Sequence, residues 1–306
     1  MDKKIKPAKR VLELPPYIFK EIDNRKNALK ERGVALLNFG IGDPDLPTPN
    51  FIVEELCKQA SKNENQKYPS YNGSDVFREA VSKYMAERFG VKADPFSQVA
   101  SVIGTKEGLA HFSWAFLEEG DIALVPDPGF PVYANSVRFS GAEVYYMPLL
   151  ESNNFVPDLS TIPDEIASRA KVMFVNYPNN PTGAVATKDQ MQEIVDWANA
   201  KDVIVVSDAA YAELVYDESD RRSFLSIPGS ENCVAEFHSF SKTFNMTGWR
   251  LGFVVGNPDL ISGFVKLKTN IDSGVFDAIQ LAGVKALEYL TSCADELMSV
   301  YRERKN

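Results

Sequence analysis

The sequence feature that most constrains the fold is a series of short apolar runs in which polar residues do not alternate. Residues 203–207, for example, read Val-Ile-Val-Val-Ser. A strand with one face in water alternates apolar and polar residues, whereas a strand buried on both faces is apolar throughout. The runs that predict strands are, in chain order, residues 99–104, 122–126, 143–149, 171–177, 203–207, 234–240 and 251–256.

Amphipathic segments separate these strands. Apolar residues at helical spacing predict helices at residues 18–31, 50–62, 74–89, 106–118, 187–200 and 258–269, and one long helix at 278–304. A further short strand is predicted at residues 36–39. Roughly seven strands interleaved with helices predict an α/β fold, with three α/β/α layers around a mostly parallel sheet.

Composition narrows the class of protein. The chain has 306 residues, of which 44% are hydrophobic, and a net charge of −9, which does not favour a nucleic-acid or anionic-membrane partner. No N-terminal apolar segment and no apolar run of 18 residues occurs, so we expect a cytoplasmic location. Three scattered cysteines and two histidines favour neither a disulfide framework nor a metal site.

Polar side chains follow several of the predicted strands. Ligands of open α/β sheets bind beyond the carboxyl ends of the strands, so these residues are candidates for one site. One of them opens a helix, where free backbone N–H groups attract anions. The candidates at the strand ends are Gly104, Thr105, Lys106, Asn180, Asp208, Tyr211 and Lys242.

Lys242 lies between the last two predicted strands. A lysine in that setting is costly unless it is paired or used chemically. Ser239 precedes it by three positions and Arg250 follows it by eight, so the two could hold an anion beside the amine.

Each candidate also has a purely structural interpretation. Asp208 could cap a following helix, Asn180 could serve a turn, and Thr105 could be an ordinary first-turn residue. Together, however, an acid, an amide, a phenol, a lysine, an arginine and a helix N-terminus fit pyridoxal 5'-phosphate. Its aldehyde forms a Schiff base with a lysine, an acid keeps its ring nitrogen protonated, and cationic or N–H donors hold its phosphate.

Three motifs resemble those of the class I/II aminotransferases of the fold-type I pyridoxal-phosphate family. They are Ser-Phe-Ser-Lys-Thr-Phe-Asn-Met-Thr-Gly-Trp-Arg-Leu-Gly, Asn-Tyr-Pro-Asn-Asn-Pro-Thr-Gly and Ser-Asp-Ala-Ala-Tyr. The resemblance runs through most of the chain. It implies a transaminase with amino-acid and 2-oxo-acid substrates, such as 2-oxoglutarate. By this resemblance Lys242 forms the Schiff base, Asp208 pairs with the ring nitrogen, and Tyr211 and Asn180 hydrogen-bond the ring hydroxyl.

The resemblance implies further contacts. Thr105, Ser239 and Arg250, with the N–H groups of Gly104 to Lys106, would hold the phosphate. Phe130 would stack on the ring, and a core-filling residue is the alternative interpretation. Tyr68 would reach the phosphate of a neighbouring subunit, which implies a homodimer with shared active sites. The substrate carboxylate would meet Gly42 and Asn180.

Two segments, residues 104–111 and 16–22, are similar to those of LL-diaminopimelate aminotransferases. On that likeness Lys106 and Tyr17 would contact the distal end of the substrate. A first-turn lysine and a surface tyrosine are the alternative interpretations of these two residues.

The resemblance also predicts the domain organisation. Residues 1–46 would belong to a small domain, 47–289 would form the large cofactor-binding domain, and 290–306 would begin a helix leading to a C-terminal small domain. Family members carry there an arginine that grips the substrate carboxylate, and no arginine of this sequence can be assigned that role. We therefore expect a chain cut short, in which cofactor binding outlasts catalysis. A C–S β-lyase, a decarboxylase and a cofactor-binding fragment without full activity remain alternatives.

Overall fold

The computed structural model describes residues 5–16, 18–37 and 42–306. The chain divides into two compact units, Met1–Asp45 and Leu46–Asn306. The first unit contains helices α1 (Lys9–Leu12) and α2 (Ile18–Glu31), and α2 has the bounds that its apolar pattern predicts.

The strand predicted at residues 36–39 is wrong where it can be checked. Leu36 and Leu37 lie outside regular structure, and residues 38 and 39 fall outside the described residues. Leu37 is 88% exposed. A short apolar run forms a strand only if a neighbouring strand pairs with its backbone groups. The apolar pattern itself carries no information about such a neighbour.

The second unit is built on a seven-stranded sheet, as predicted. Its strands are β1 (Val99–Val102), β2 (Ile122–Asp127), β3 (Glu143–Pro148), β4 (Ala170–Asn176), β5 (Ile204–Asp208), β6 (Val234–Ser239) and β7 (Gly252–Gly256). Their order across the sheet is β1-β7-β6-β5-β4-β2-β3. Strand β7 runs antiparallel to β1 and β6, and the other pairings are parallel. The sheet is therefore mostly parallel, which confirms the predicted fold class.

Helices flank this sheet. They are α3 (Asn50–Ala60), α4 (Asp75–Phe89), α5 (Thr105–Phe116), α6 (Val132–Ser140), α7 (Asp164–Ala167), α8 (Lys188–Lys201), α9 (Ser230–Cys233), α10 (Phe240–Thr243), α11 (Pro258–Lys268), α12 (Asp277–Glu288) and α13 (Leu290–Lys305). Five of the predicted helices are confirmed here as α3, α4, α5, α8 and α11, with ends within two residues. Among the described residues, every helix is too short or too polar to cross a membrane.

Apart from the edge strand β3, most of whose residues are exposed or half-buried, the sheet is buried on both faces, which explains its continuous apolar runs. Along β5, Val206 packs on one face with Phe112 of α5 and Tyr133 of α6. Its neighbour Val205 packs on the other face with Ile194 of α8. Helices α4 and α12 cover the adjoining part of that second face, over β7 and β1. Because successive strand residues point to opposite faces, the unit has the predicted three layers.

The long helix predicted at residues 278–304 is wrong. The segment forms two helices, α12 and α13, which meet at Tyr289. The backbone of Tyr289 has φ −110° and ψ 16°, outside the helical region. Its ring packs 5.5 Å from that of Phe51, measured between centroids. The apolar spacing continues across the junction, and neither glycine nor proline marks it, so the pattern could not locate the break.

A matched pair of leucines tests this account of the core. Leu124 in the middle of β2 is fully buried, whereas Leu150 is 58% exposed. Leu124→Ala should lower the free energy of unfolding by about 2–5 kcal/mol, because it leaves a cavity between two packed layers. Leu150→Ala should change it by less than about 0.5 kcal/mol. Urea unfolding of both variants measures the difference, and equal losses would contradict the assignment of the core.

Candidate active site

The parallel pairing of β4 and β5 brings Asn176 and Asp208 side by side at the carboxyl ends of their strands. The Asn176 side chain donates a hydrogen bond of 2.7 Å to the carbonyl oxygen of Asp208. Its own oxygen accepts one, also 2.7 Å, from the backbone N–H of Asn180. Asn176 therefore ties the turn that carries Asn180 to the strand end that carries Asp208. The sequence analysis gave Asn176 no role.

The carboxylate of Asp208 is buried, with 5% of the residue exposed. Its Oδ2 accepts a hydrogen bond of 2.7 Å from the hydroxyl of Tyr133, and its Oδ1 accepts one of 3.2 Å from the N–H of Ala210. Burial raises the pKa of Asp208, while these two hydrogen bonds and the nearby His238 act in the opposite direction. Residues 210–213 form a turn rather than a helix, so Asp208 is not a helix cap.

Tyr133, on α6, is the site residue that the sequence analysis missed. It is fully buried, and its ring stacks on that of Phe174 at 5.1 Å between centroids. Burial, and then the charge of Asp208, raise the pKa of Tyr133 well above its usual value. The hydroxyl therefore keeps its proton and donates a hydrogen bond to Asp208. Its partner Asp208 is 75 positions away in the sequence, so no local pattern marks this tyrosine as a site residue.

Arg250 lies against the turn that leads into α5. Gly104, the residue before that helix, has φ +77° and ψ 150°, a conformation open almost only to glycine. A Cβ atom at Gly104 would lie 2.8 Å from Cζ of Arg250, so the guanidinium packs directly on this glycine. The first N–H groups of α5 and a guanidinium thus meet at one point. Such a donor set suits a dianion such as phosphate.

Lys242 lies in α10, the short helix that directly follows β6. It is half-buried. The preceding Ser239 is buried and caps this helix, since its Oγ accepts a hydrogen bond of 3.2 Å from the N–H of Ser241. Ser239 also pairs with Gly252 of β7, two positions after Arg250. Strand β6, which leads into Lys242, therefore lies between β5, which ends at Asp208, and β7, which begins two positions after Arg250.

The ring of Phe130 contacts both Lys106 and Tyr133. The ammonium of Lys106 is 6.0 Å from the centre of its ring, at the limit of a cation–π contact. On its other side, the ring meets Tyr133 edge-on at 5.9 Å between centroids. Phe130 is half-buried and packs against the core that contains Tyr133. Both interpretations of Phe130, as a core residue and as a residue that stacks on a ligand, are compatible with this position.

The remaining predicted site residues are more dispersed. Tyr211 is half-buried in the turn after β5, within electrostatic range of the Tyr133 hydroxyl. Tyr68 is 89% exposed in the segment before α4. Gly42 is exposed in the first compact unit, and Tyr17 lies outside the described residues.

A cluster of polar side chains packs at the start of α5; its members are Glu107, His111, Lys268 and Asp272. Glu107 accepts a hydrogen bond of 2.7 Å from the N–H of Ile103 and contacts His111 one turn later. Asp272 lies 3.9 Å from the same imidazole and binds the ammonium of Lys268, which is fully buried. Three side chains of the cluster could ligate a metal, although the ammonium of Lys268 offsets one of the two carboxylate charges of the cluster. We assign it a structural role next to Gly104.

These groups can hold a phosphorylated aromatic aldehyde. The cradle of Gly104 and Arg250 offers donors to a phosphate, and the buried Asp208 can accept a hydrogen bond from a protonated ring nitrogen. Lys242 supplies an amine that can react with an aldehyde. The chemistry of the donor set therefore fits the cofactor inferred from the sequence.

Comparison with known protein families gives a consistent result. The family model described as aminotransferase class I and II matches residues 34–298. The LL-diaminopimelate aminotransferase of Syntrophobacter fumaroxidans is 50% identical over 297 residues, which are 97% of this chain and 76% of the relative. The enzyme of the same name from Aquifex aeolicus is 48% identical over 296 residues, with the same shares.

Solved structures are similar in fold. Substrate-bound BacF from Bacillus subtilis superposes with a TM-score of 0.94 at 35% identity, covering 99% of this chain and 76% of that one. A single mutant of Thermus thermophilus aspartate aminotransferase gives a TM-score of 0.91 at 27% identity, covering 98% and 78%.

Substitution of Gly104 tests the contact with Arg250. Gly104→Ala should lower the free energy of unfolding by about 1–3 kcal/mol, because alanine is strained in this conformation. It should also displace the guanidinium. Gly90, with φ +70° and open space within 4 Å of the position that a Cβ atom would take, is the control, and Gly90→Ala should cost about 1–2 kcal/mol.

Adding Arg250→Ala to each glycine variant separates strain from crowding. The second substitution should recover part of the loss at Gly104 and none at Gly90, as measured by urea unfolding. Equal recovery in the two backgrounds would show that Arg250 does not pack on Gly104.

Proposed function

The chain belongs to the class I and II aminotransferases, and we propose that it works as one with bound pyridoxal 5'-phosphate, moving an amino group between an L-amino acid and a 2-oxo acid. The single observation that best supports the cofactor is the buried Asp208, held by Tyr133 at the end of the strand next to the one that precedes Lys242. A protonated ring nitrogen beside this buried acid would offset the cost of burying its charge, which explains why an acid lies at this point.

We propose LL-diaminopimelate as the amino donor and 2-oxoglutarate as the acceptor. The support is the set of relatives of that name, which are 47–50% identical over nearly the whole chain. Such an activity belongs to lysine biosynthesis. Lys106 and Tyr17 are the residues proposed to contact the distal end of this donor, and Gly42 and Asn180 its reacting carboxylate.

The residues divide the chemical work. When bound, pyridoxal phosphate supplies an electron sink that stabilises negative charge on the substrate Cα. Asp208 would hold the proton on the ring nitrogen, because an ionised carboxylate there keeps that nitrogen charged. The amine of Lys242 would bind the cofactor covalently and, once released, take the proton from Cα as general base.

The remaining residues would fix the position of the cofactor. Thr105, Ser239 and Arg250 would hold the phosphate together with the N–H groups at the start of α5. Phe130 would cover one face of the ring, and Asn180 and Tyr211 would hydrogen-bond its hydroxyl. Tyr68 would serve the active site of a second subunit, so a homodimer is part of the proposal. The high exposure of Tyr68 is in keeping with such a contact.

The covalent attachment gives the first prediction. Protein incubated with pyridoxal phosphate should show a visible absorbance band, and borohydride should fix the cofactor on the peptide that contains Lys242. Lys242→Ala should lose both the band and the fixed adduct, because Lys242 is the amine proposed to react with the aldehyde. Lys188→Ala, at the exposed start of α8, is the matched control and should retain both. A fixed adduct that persists in Lys242→Ala would refute the assignment.

The reaction type gives the second prediction. Protein loaded with cofactor and mixed with LL-diaminopimelate alone should release the corresponding 2-oxo acid, in an amount that does not exceed the bound cofactor. Added 2-oxoglutarate should then restore the visible band and yield glutamate. Mass spectrometry measures both products. Release of ammonia with pyruvate from a cysteine conjugate would instead indicate the β-lyase, and release of carbon dioxide would indicate a decarboxylase.

A further inference from the structure

Both oxygens of Asp208 are held by the protein. Tyr133 donates to Oδ2 and the N–H of Ala210 donates to Oδ1. A carboxylate has about four acceptor positions, so these bonds leave capacity on each oxygen. The carboxylate cannot rotate about its Cβ–Cγ bond without breaking one of the two hydrogen bonds. The direction of its remaining acceptor positions is therefore set by the protein.

Tyr133 is held just as firmly. Its ring is fully buried, stacked on Phe174 with 19° between the ring planes and met edge-on by Phe130. The hydroxyl thus has a single position, at 2.7 Å from Asp208. The same side chain supports both the acid proposed to meet the ring nitrogen and the aromatic proposed to cover the ring.

We propose that Tyr133 is a positioning residue, whose hydroxyl orients the Asp208 carboxylate and keeps it ionised for the ring nitrogen of the cofactor. This inference rests on the proposed function. Tyr133 has no exposed surface to offer a ligand, so it acts through Asp208. Nothing in the motifs that identify the family assigns this role to the tyrosine.

The direction of the pH effect follows from the charges. Burial raises the pKa of Asp208, and the hydrogen bond from Tyr133 opposes that rise. Loss of the hydroxyl therefore raises the pKa of Asp208 further, and the carboxylate takes up a proton at a higher pH. A protonated carboxyl no longer holds a protonated ring nitrogen. His238 on β6 and Tyr211 in the turn after β5 also influence this pair, and both are unchanged by substitution of Tyr133.

The test is Tyr133→Phe, which removes the hydroxyl and keeps the ring between Phe174 and Phe130. The matched control is Tyr84→Phe, because Tyr84 is also buried and donates a hydrogen bond of 2.9 Å to a buried carboxylate, that of Glu213. Cofactor-free protein is titrated with pyridoxal phosphate at a series of pH values from mildly acidic to neutral.

At neutral pH the Kd of Tyr133→Phe should rise about tenfold, the usual effect of losing a hydrogen bond to a charged group. The loss of affinity on the acid side should begin about one pH unit higher than in the parent protein. Tyr84→Phe should stay within about twofold of the parent at every pH. An unchanged profile for Tyr133→Phe, or the same shift in Tyr84→Phe, would overturn the inference.

A double substitution separates positioning from general damage to the fold. If Tyr133 acts through Asp208, Tyr133→Phe should cause no further loss of cofactor affinity in an Asp208→Asn background. Additive losses would overturn the proposal. If the parent protein fails to bind pyridoxal phosphate at all, the proposed function fails, whereas binding that is insensitive to Tyr133→Phe refutes this inference alone.

Discussion

The hydrogen bond between Tyr133 and Asp208 is the interaction on which the rest of the site depends. A carboxylate at the end of an apolar strand loses most of its contact with water, and an unpaired buried charge is strongly destabilising. The tyrosine and the N–H of Ala210 compensate for part of that loss. The part of the carboxylate charge that these bonds leave uncompensated would favour the binding of a ligand with a positively charged group.

The architecture of the sheet determines where a buried polar side chain such as Asp208 can lie. Its strands are apolar on both faces because helices cover both faces, which leaves the strand ends as the places where polar side chains can converge. Strands β4, β5 and β6 are adjacent and parallel. Their carboxyl ends therefore deliver Asn176, Asp208 and the Lys242 segment to the same edge, although 66 positions of chain separate the first of these from the last.

Much of this could be predicted from the sequence, because strands and long helices have a period that a few apolar residues reveal. Helix α6 was not predicted, since its nine residues are fewer than the roughly 11 over which a helical period is read. The junction at Tyr289 lacks any glycine or proline. The contacts of Tyr133 with Asp208, and of Arg250 with Gly104, join residues far apart in sequence, and no local pattern encodes such pairs.

Charge completes the picture of the site. The chain has a net charge of −9, yet Lys106 and Arg250 both lie at the N-terminus of α5, where the helix dipole adds a positive potential. Lys242 follows β6, and β6 pairs with β7, the strand that begins two positions after Arg250. A group of cations at one point of a chain with net negative charge gives anions a local site of attraction. The phosphate of the proposed cofactor and the carboxylates of its substrates would all be drawn to this edge of the sheet, where Asp208 would balance the charge of the ring nitrogen.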